Sequence, residues 1–176
     1  MSLKKSLEVM ARYNQWMNIN LFDVLDGVND RELNTDRGAF FGSILGTLNH
    51  ILVADVIWLK RFIQHGNYGA LDELRSWRQP NELGDTLYQD IDGLKRARAQ
   101  MDMMLIGLTN EMSETELSGA MGYHDMAGVA HRKHIGHLLM HVFNHQTHHR
   151  GQVTTLLSQL GIDPGVTDLG AMLPEA

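Results

Sequence analysis

Residues 141–168 read HVFNHQTHHRGQVTTLLSQLGIDPGVTD, and the spacing inside this stretch decides the architecture. Val142, Val153, Leu156, Leu157 and Leu160 recur at helical steps, and Ile135, Leu138 and Leu139 extend the same face upstream. The predicted helix runs from about His131 to Leu160, where Gly161 supplies a stop and Pro164 forbids continuation. It also concentrates histidine: of the ten histidines in the chain, only His50 and His65 lie outside the interval His124 to His149.

At about 100° per residue, the apolar face of this helix centres roughly 60–80° from His145, and His149 lies about 40° from it. His149 therefore sits inside the face and His145 on its shoulder. Four residues apart, the two rings stack on one side of the helix and can converge on a single ion. Gln152 shares that side and suits a supporting or substrate contact. His141 and His148 lie further round, where they could back such a site. His65, His124, His131, His134 and His137 read as surface residues.

Three more segments have the same period. Leu7, Met10, Ala11, Asn14, Met17, Leu21, Val24, Leu25 and Val28 predict a first helix ended by Asn29 and Asp30, with NTDRGAF as a loop. A second is predicted from Ser43 to His65, closed by Gly66-Asn67, with Ile44, Leu48, Ile51, Leu52, Leu59 and Phe62 on its main face. A third is predicted from Glu82 to Thr109, with Asn81 as its N-cap. Four long helices in a single domain spanning residues 1–176 imply an all-α fold, a four-helix bundle. Two connections, about 66–81 and 110–131, are longer than a bundle needs. The first can travel the length of a bundle, which would make helices two and three parallel neighbours. The second has glycines at 119, 122 and 128 and could form a short hairpin.

Two imidazoles hold an ion weakly, so a third ligand is expected from another helix. His65 falls at a frayed helix end, whereas His50 lies well inside its helix. It shares a second, small apolar face with Thr47, Val53, Ala54 and Ile57, as in a helix buried on two sides. His50, His145 and His149 are thus the candidate ligands, against the alternative that these rings only pack. The motif H-E-x-x-H of the zincin proteases is absent, because Val142 follows His141 and Gln146 follows His145.

Composition limits the chemistry. The 176 residues include no cysteine, which excludes disulfides, a thiolate nucleophile and sulfur-ligated zinc. Any metal must be held by nitrogen and oxygen. A net charge of −6, with 15 scattered Lys and Arg, leaves no basic stripe for nucleic acid. No apolar run reaches the roughly twenty residues of a membrane span. The expected setting is cytoplasmic, with a small-molecule substrate.

The stretch 141–168, the earlier TLNHILVADVIWLKRF (47–62), the opening ARYNQWMNINLFDVLDGV (11–28) and YHDMAG (123–128) together resemble the DinB family, also called DinB/YfiT-like. The likeness covers essentially the whole chain in order, and its most specific element is H-x-x-x-H-R-G-Q at His145–Gln152 with an upstream histidine followed by Ala-Asp and Trp. It implies a bundle of up-down-down-up topology and a divalent metal, usually zinc or nickel, on His50, His145 and His149. It also implies a homodimer and, from characterised relatives, transferases or an isomerase that use low-molecular-weight thiols. Such a metal would generate the nucleophile that a cysteine-free chain lacks, in thiol transfer or in hydrolysis. Arg150 projects away from the apolar face and is expected to pack or to pair with an acid. Asp168 in the tail is a candidate to return to the site as an orienting carboxylate. The rival reading is a non-catalytic, stress-related metal-binding protein.

Overall fold

The computed structural model describes residues 1–175. It is mostly helical, with one small two-stranded sheet. The described residues form six α-helices: α1 (Leu3–Leu25), α2 (Asp30–Asn34), α3 (Ile44–His65), α4 (Ile91–Glu111), α5 (Glu114–Ser118) and α6 (Ile135–Gln159). The strands β1 (Ala120–His124) and β2 (Ala130–His134) pair antiparallel between α5 and α6. Short 3-10 turns occupy Gly69–Leu71, Glu73–Ser76 and Leu169–Met172. Among the described residues, no helix is long and apolar enough to cross a membrane.

Local chemistry fixes the helix ends. Ser2, Ser43 and Asp90 each accept a hydrogen bond from a backbone N–H of the first turn, which satisfies one of the donors a helix start leaves unpaired. At the C-terminus of α6, the N–H of Ile162 bonds to the carbonyl of Leu157 and that of Gly161 to the carbonyl of Ser158. Gly161 has φ +75°, so this is a Schellman stop.

α1 packs on α4 and α6, and α3 on α6 and α4. Lys4 Nζ reaches the carbonyl of Asn110 while Lys95 Nζ reaches Asp26, at opposite ends of the α1–α4 contact. From α3, Asn49 bonds Tyr88 just before α4 and Asp55 bonds Arg98 on it. α3 is the most enclosed element: Leu48, Ile51, Leu52, Leu59 and Phe62 are buried on one face, and Thr47, His50, Val53, Ala54 and Ile57 on the other. The expectation of a helix covered on two sides holds.

Two predicted starts are corrected. The helix expected from Glu82 begins at Ile91, and its cap is Asp90 rather than Asn81. The side chain of Asn49 intervenes, because its Oδ1 accepts from the N–H of Leu87 (2.8 Å) and Tyr88 (3.0 Å) while its Nδ2 donates to the carbonyl of Tyr88 (2.9 Å). These backbone groups are satisfied from α3, so the segment lies across that helix instead of coiling. The helix expected from His131 begins at Ile135, because His131 to His134 belong to β2. The expected hairpin is thus present and takes the first turn of the predicted helix. The segment Asp30–Asn34, expected as the end of one helix and the start of a loop, forms α2 with Asn29 as its cap.

Candidate metal centre

His50 comes from the second turn of α3, and His145 and His149 from successive turns of α6. One nitrogen of each ring lies within 4.8 Å of the others, close enough for the three to hold a single metal ion. His50 Nε2 and His145 Nε2 are 3.0 Å apart. His50 is 4% exposed and His149 8%, while His145 is half-buried and faces outward toward a cleft.

The far nitrogens of two rings are already used. His50 Nδ1 lies 2.9 Å from the carbonyl of Leu83, an acceptor only, so Nδ1 carries the proton and Nε2 is left with its lone pair. His149 Nδ1 lies 2.7 Å from Gln152 Oε1, which fixes the same tautomer. Outer partners of this kind orient a ligating imidazole and raise its basicity. Burial pushes all three rings below the ordinary histidine range, His145 to about 3 with help from the neighbouring histidines. The donor set is therefore neutral imidazole, with the lone pairs of His50 and His149 turned inward, which suits a divalent ion of borderline softness.

One wall of the site comes from the loop before α3. The Phe41 ring stacks on His50 with centroids 3.6 Å apart and planes 16° from parallel, and it meets His149 edge-on at 5.6 Å. Gly46 permits this approach, since a Cβ there would fall 2.2 Å from the Phe41 carbonyl oxygen. The opposite wall is a cleft of about 440 Å³ lined by His50, His145, Trp58, Arg61 and His141.

The supporting residues expected from sequence divide. Gln152 holds His149 and also approaches His148 Nε2 at 3.4 Å. His148 meets the edge of His149 with ring centroids 4.8 Å apart. His141 is exposed, packs on Trp58 and lines the cleft. Asp168 is exposed, precedes the last 3-10 turn and makes no side-chain hydrogen bond among the described residues. Phe41 and the Leu83 carbonyl were not legible, because both sit on irregular segments whose return to the site no periodicity announces.

Beside the histidines lies a second polar cluster. Arg98 is paired with Asp55, and its Nη2 is 3.0 Å from Asp102 Oδ1. Asn14 Nδ2 and Asn18 Nδ2 each donate to Asp102 Oδ1 at 2.9 Å, and Gln146 Nε2 donates to Asp55 Oδ1 at 2.9 Å. Arg150, expected to pack or to pair with an acid, is buried with its Cζ 5.8 Å from the Tyr13 ring centroid, and it donates to Asn14 Oδ1. Burial pushes the Asp55 carboxyl up to about 6 against the pull of Arg98, and brings Arg150 down to about 10.

The family model described as the DinB family matches residues 1–175 of this chain. The chain is 23% identical over 164 residues to Protein DinB of Bacillus subtilis (strain 168), an alignment covering 93% of this chain and 91% of that protein.

Proposed function

The chain belongs to the DinB family, and from that premise we propose that it is a metal-dependent enzyme acting on a small molecule, with His50, His145 and His149 as ligands of a divalent ion. The observation that carries the proposal is the inward convergence of three neutral rings from two helices, two of them locked in the ligating tautomer from behind. Zinc or nickel suits an all-imidazole set. Bound there, such an ion would supply Lewis acidity for transfer of a low-molecular-weight thiol or for hydrolysis. The protein's own part is to hold and shield. Leu83 and Gln152 keep the rings of His50 and His149 in place, Phe41 excludes water from one side, and the cleft at His145 and Trp58 leaves the other side open to a guest.

We read the four long helices as a four-helix bundle of up-down-down-up topology. Support comes from the order of their contacts. Low-numbered residues of α1 meet high-numbered residues of α4, whereas Asn49 and Asp55 of α3 meet Tyr88 and Arg98 in the same order along the chain. Trp58, Asp55 and His50 of α3 meet His141, Gln146 and His149 of α6 in the reverse order.

The test is turnover. Zinc- or nickel-loaded protein is incubated with a small thiol and an alkyl halide, and with a panel of esters and amides, beside His145→Ala. Metal-dependent loss of thiol or ester in the wild type alone is expected. Silence across both panels, with a large fall in melting temperature on chelation, would favour an ion that only braces the fold.

A further inference from the structure

Arg61 is half-buried on α3, three residues beyond Trp58, yet forms no ion pair or hydrogen bond among the described residues. Its guanidinium packs against two rings that meet each other edge-to-face, with Cζ 4.5 Å from the Trp58 centroid and 5.0 Å from that of Tyr123 on β1. Cation–π contact of this kind restrains the group and leaves its N–H donors unspent. Arg61 lines the 440 Å³ cleft that is also lined by His50 and His145, and equally a neighbouring cavity of about 410 Å³. An arginine oriented by two aromatic rings, without an acid of its own, is costly to a fold that gains nothing from it and well suited to an anionic guest.

The surrounding charges narrow the guest. Lys60 is spent on the Trp77 carbonyl, and His141 stands exposed across the cleft. Asp125 lines the same wall, with its carboxylate shared between His131 (2.9 Å) and the N–H groups of Ala127 and Val129. A second negative charge this close disfavours a dianion such as a phosphate monoester. A single carboxylate, planar and matched to the guanidinium fork, fits better.

We propose that Arg61 is the specificity-determining residue of the cleft: it binds the carboxylate of a small substrate or thiol whose reacting atom lies at the histidine cluster. The proposal rests on reading that cluster as a metal site, and it names the guest which that reading leaves open.

The test compares two thiols of similar size, 3-mercaptopropionate and 3-mercaptopropanol, titrated into the full chain loaded with cobalt(II) and followed by the visible spectrum of the ion. Wild type is expected to favour the acid by about tenfold, the scale of one charge-assisted contact. Arg61→Met should bring the ratio of the two affinities close to one, and Arg61→Lys should retain part of the preference. Equal affinities in wild type, or an undiminished ratio in Arg61→Met, would overturn the proposal. If neither thiol perturbs the cobalt spectrum, the metal reading has failed and the subsite is judged separately. Metal-free protein is then titrated with 3-mercaptopropionate while the Trp58 indole N–H resonance is observed. A shift in wild type that disappears in Arg61→Met keeps the subsite, and no shift in wild type removes it.

Discussion

Two polar clusters share the interior of this protein, built from neighbouring residues of the same helices, and they are organised in opposite ways. α3 contributes Asp55 to one and His50 to the other; α6 contributes Gln146 and Arg150 to one, His145 and His149 to the other. In the first, acids and bases alternate: Arg98 sits between Asp55 and Asp102, and the amides of Asn14, Asn18 and Gln146 take up the remaining carboxylate capacity. In the second, three bases of one kind point at each other, with no acid between them and an opening to a cleft. The closed cluster pairs its charges within the fold, although Arg98 Nε and Nη2 are buried without a hydrogen-bond partner. The open one is incomplete without something added, and that difference separates a structural polar network from a candidate site.

The largest effect that tests this contrast lies in the closed cluster. Arg98→Met leaves two buried carboxylates facing each other without their cation, and should cost about 3–5 kcal/mol by denaturant unfolding. A loss under about 1 kcal/mol would show that the cluster is not the internal brace described. Whatever fraction remains folded should still take up metal, since the histidines make no bond to Arg98.

In the open cluster the expectation is reversed. Gln152→Ala removes the acceptor behind His149 and should weaken zinc or nickel binding by about 10–100-fold, measured by competition with a chelator. The stability of the metal-free protein should move by no more than about 0.5 kcal/mol, because Gln152 lies at the surface end of its contact. Unchanged affinity would mean that the hydrogen bond does not set the ring.

The smallest effect is on pH dependence. The folded chain holds His50, His145 and His149 below 6.5, so the unfolded chain takes up more protons once the pH falls under that value. Their contribution to stability is complete above 6.5 and is lost as pH falls through the folded values, to about 3 for His145. Asp55, raised to about 6, acts with the opposite sign, losing its contribution as pH rises through that value. The melting temperature of metal-free protein should therefore drop between pH 7 and pH 5, and His145→Ala should drop less. Parallel profiles for the two proteins would contradict the neutral assignment of His145.

The open cluster was far more legible in the sequence than the closed one, for a physical reason. Histidine is rare on an apolar helical face, so His145 and His149 stand out by period alone, and His50 by the small apolar residues around it. The ligand role itself remains a proposal. Asn14 and Asn18, Arg98 and Asp102, and Gln146 and Arg150 are each four apart on helical stripes, but isolated polar residues on a stripe read as interruptions of it. Only packing shows that three such pairs meet. Helix interiors were equally clear, while the start of α4 was not, because a single side chain, Asn49, outweighs the helical tendency of residues 82–90. Arg61 escaped notice because its role depends on Tyr123, brought to it by a hairpin whose existence was legible and whose docking was not.

The central claim is that rings from α3 and α6 share one ion, and metal stoichiometry tests it most directly. Untagged wild-type protein and His145→Ala, purified alike, are compared by elemental analysis. The account predicts close to one equivalent of divalent metal per chain in the wild type and a small fraction of that in the variant. Equal metal content in the two proteins, or none in a folded wild type supplied with zinc and nickel, would contradict it.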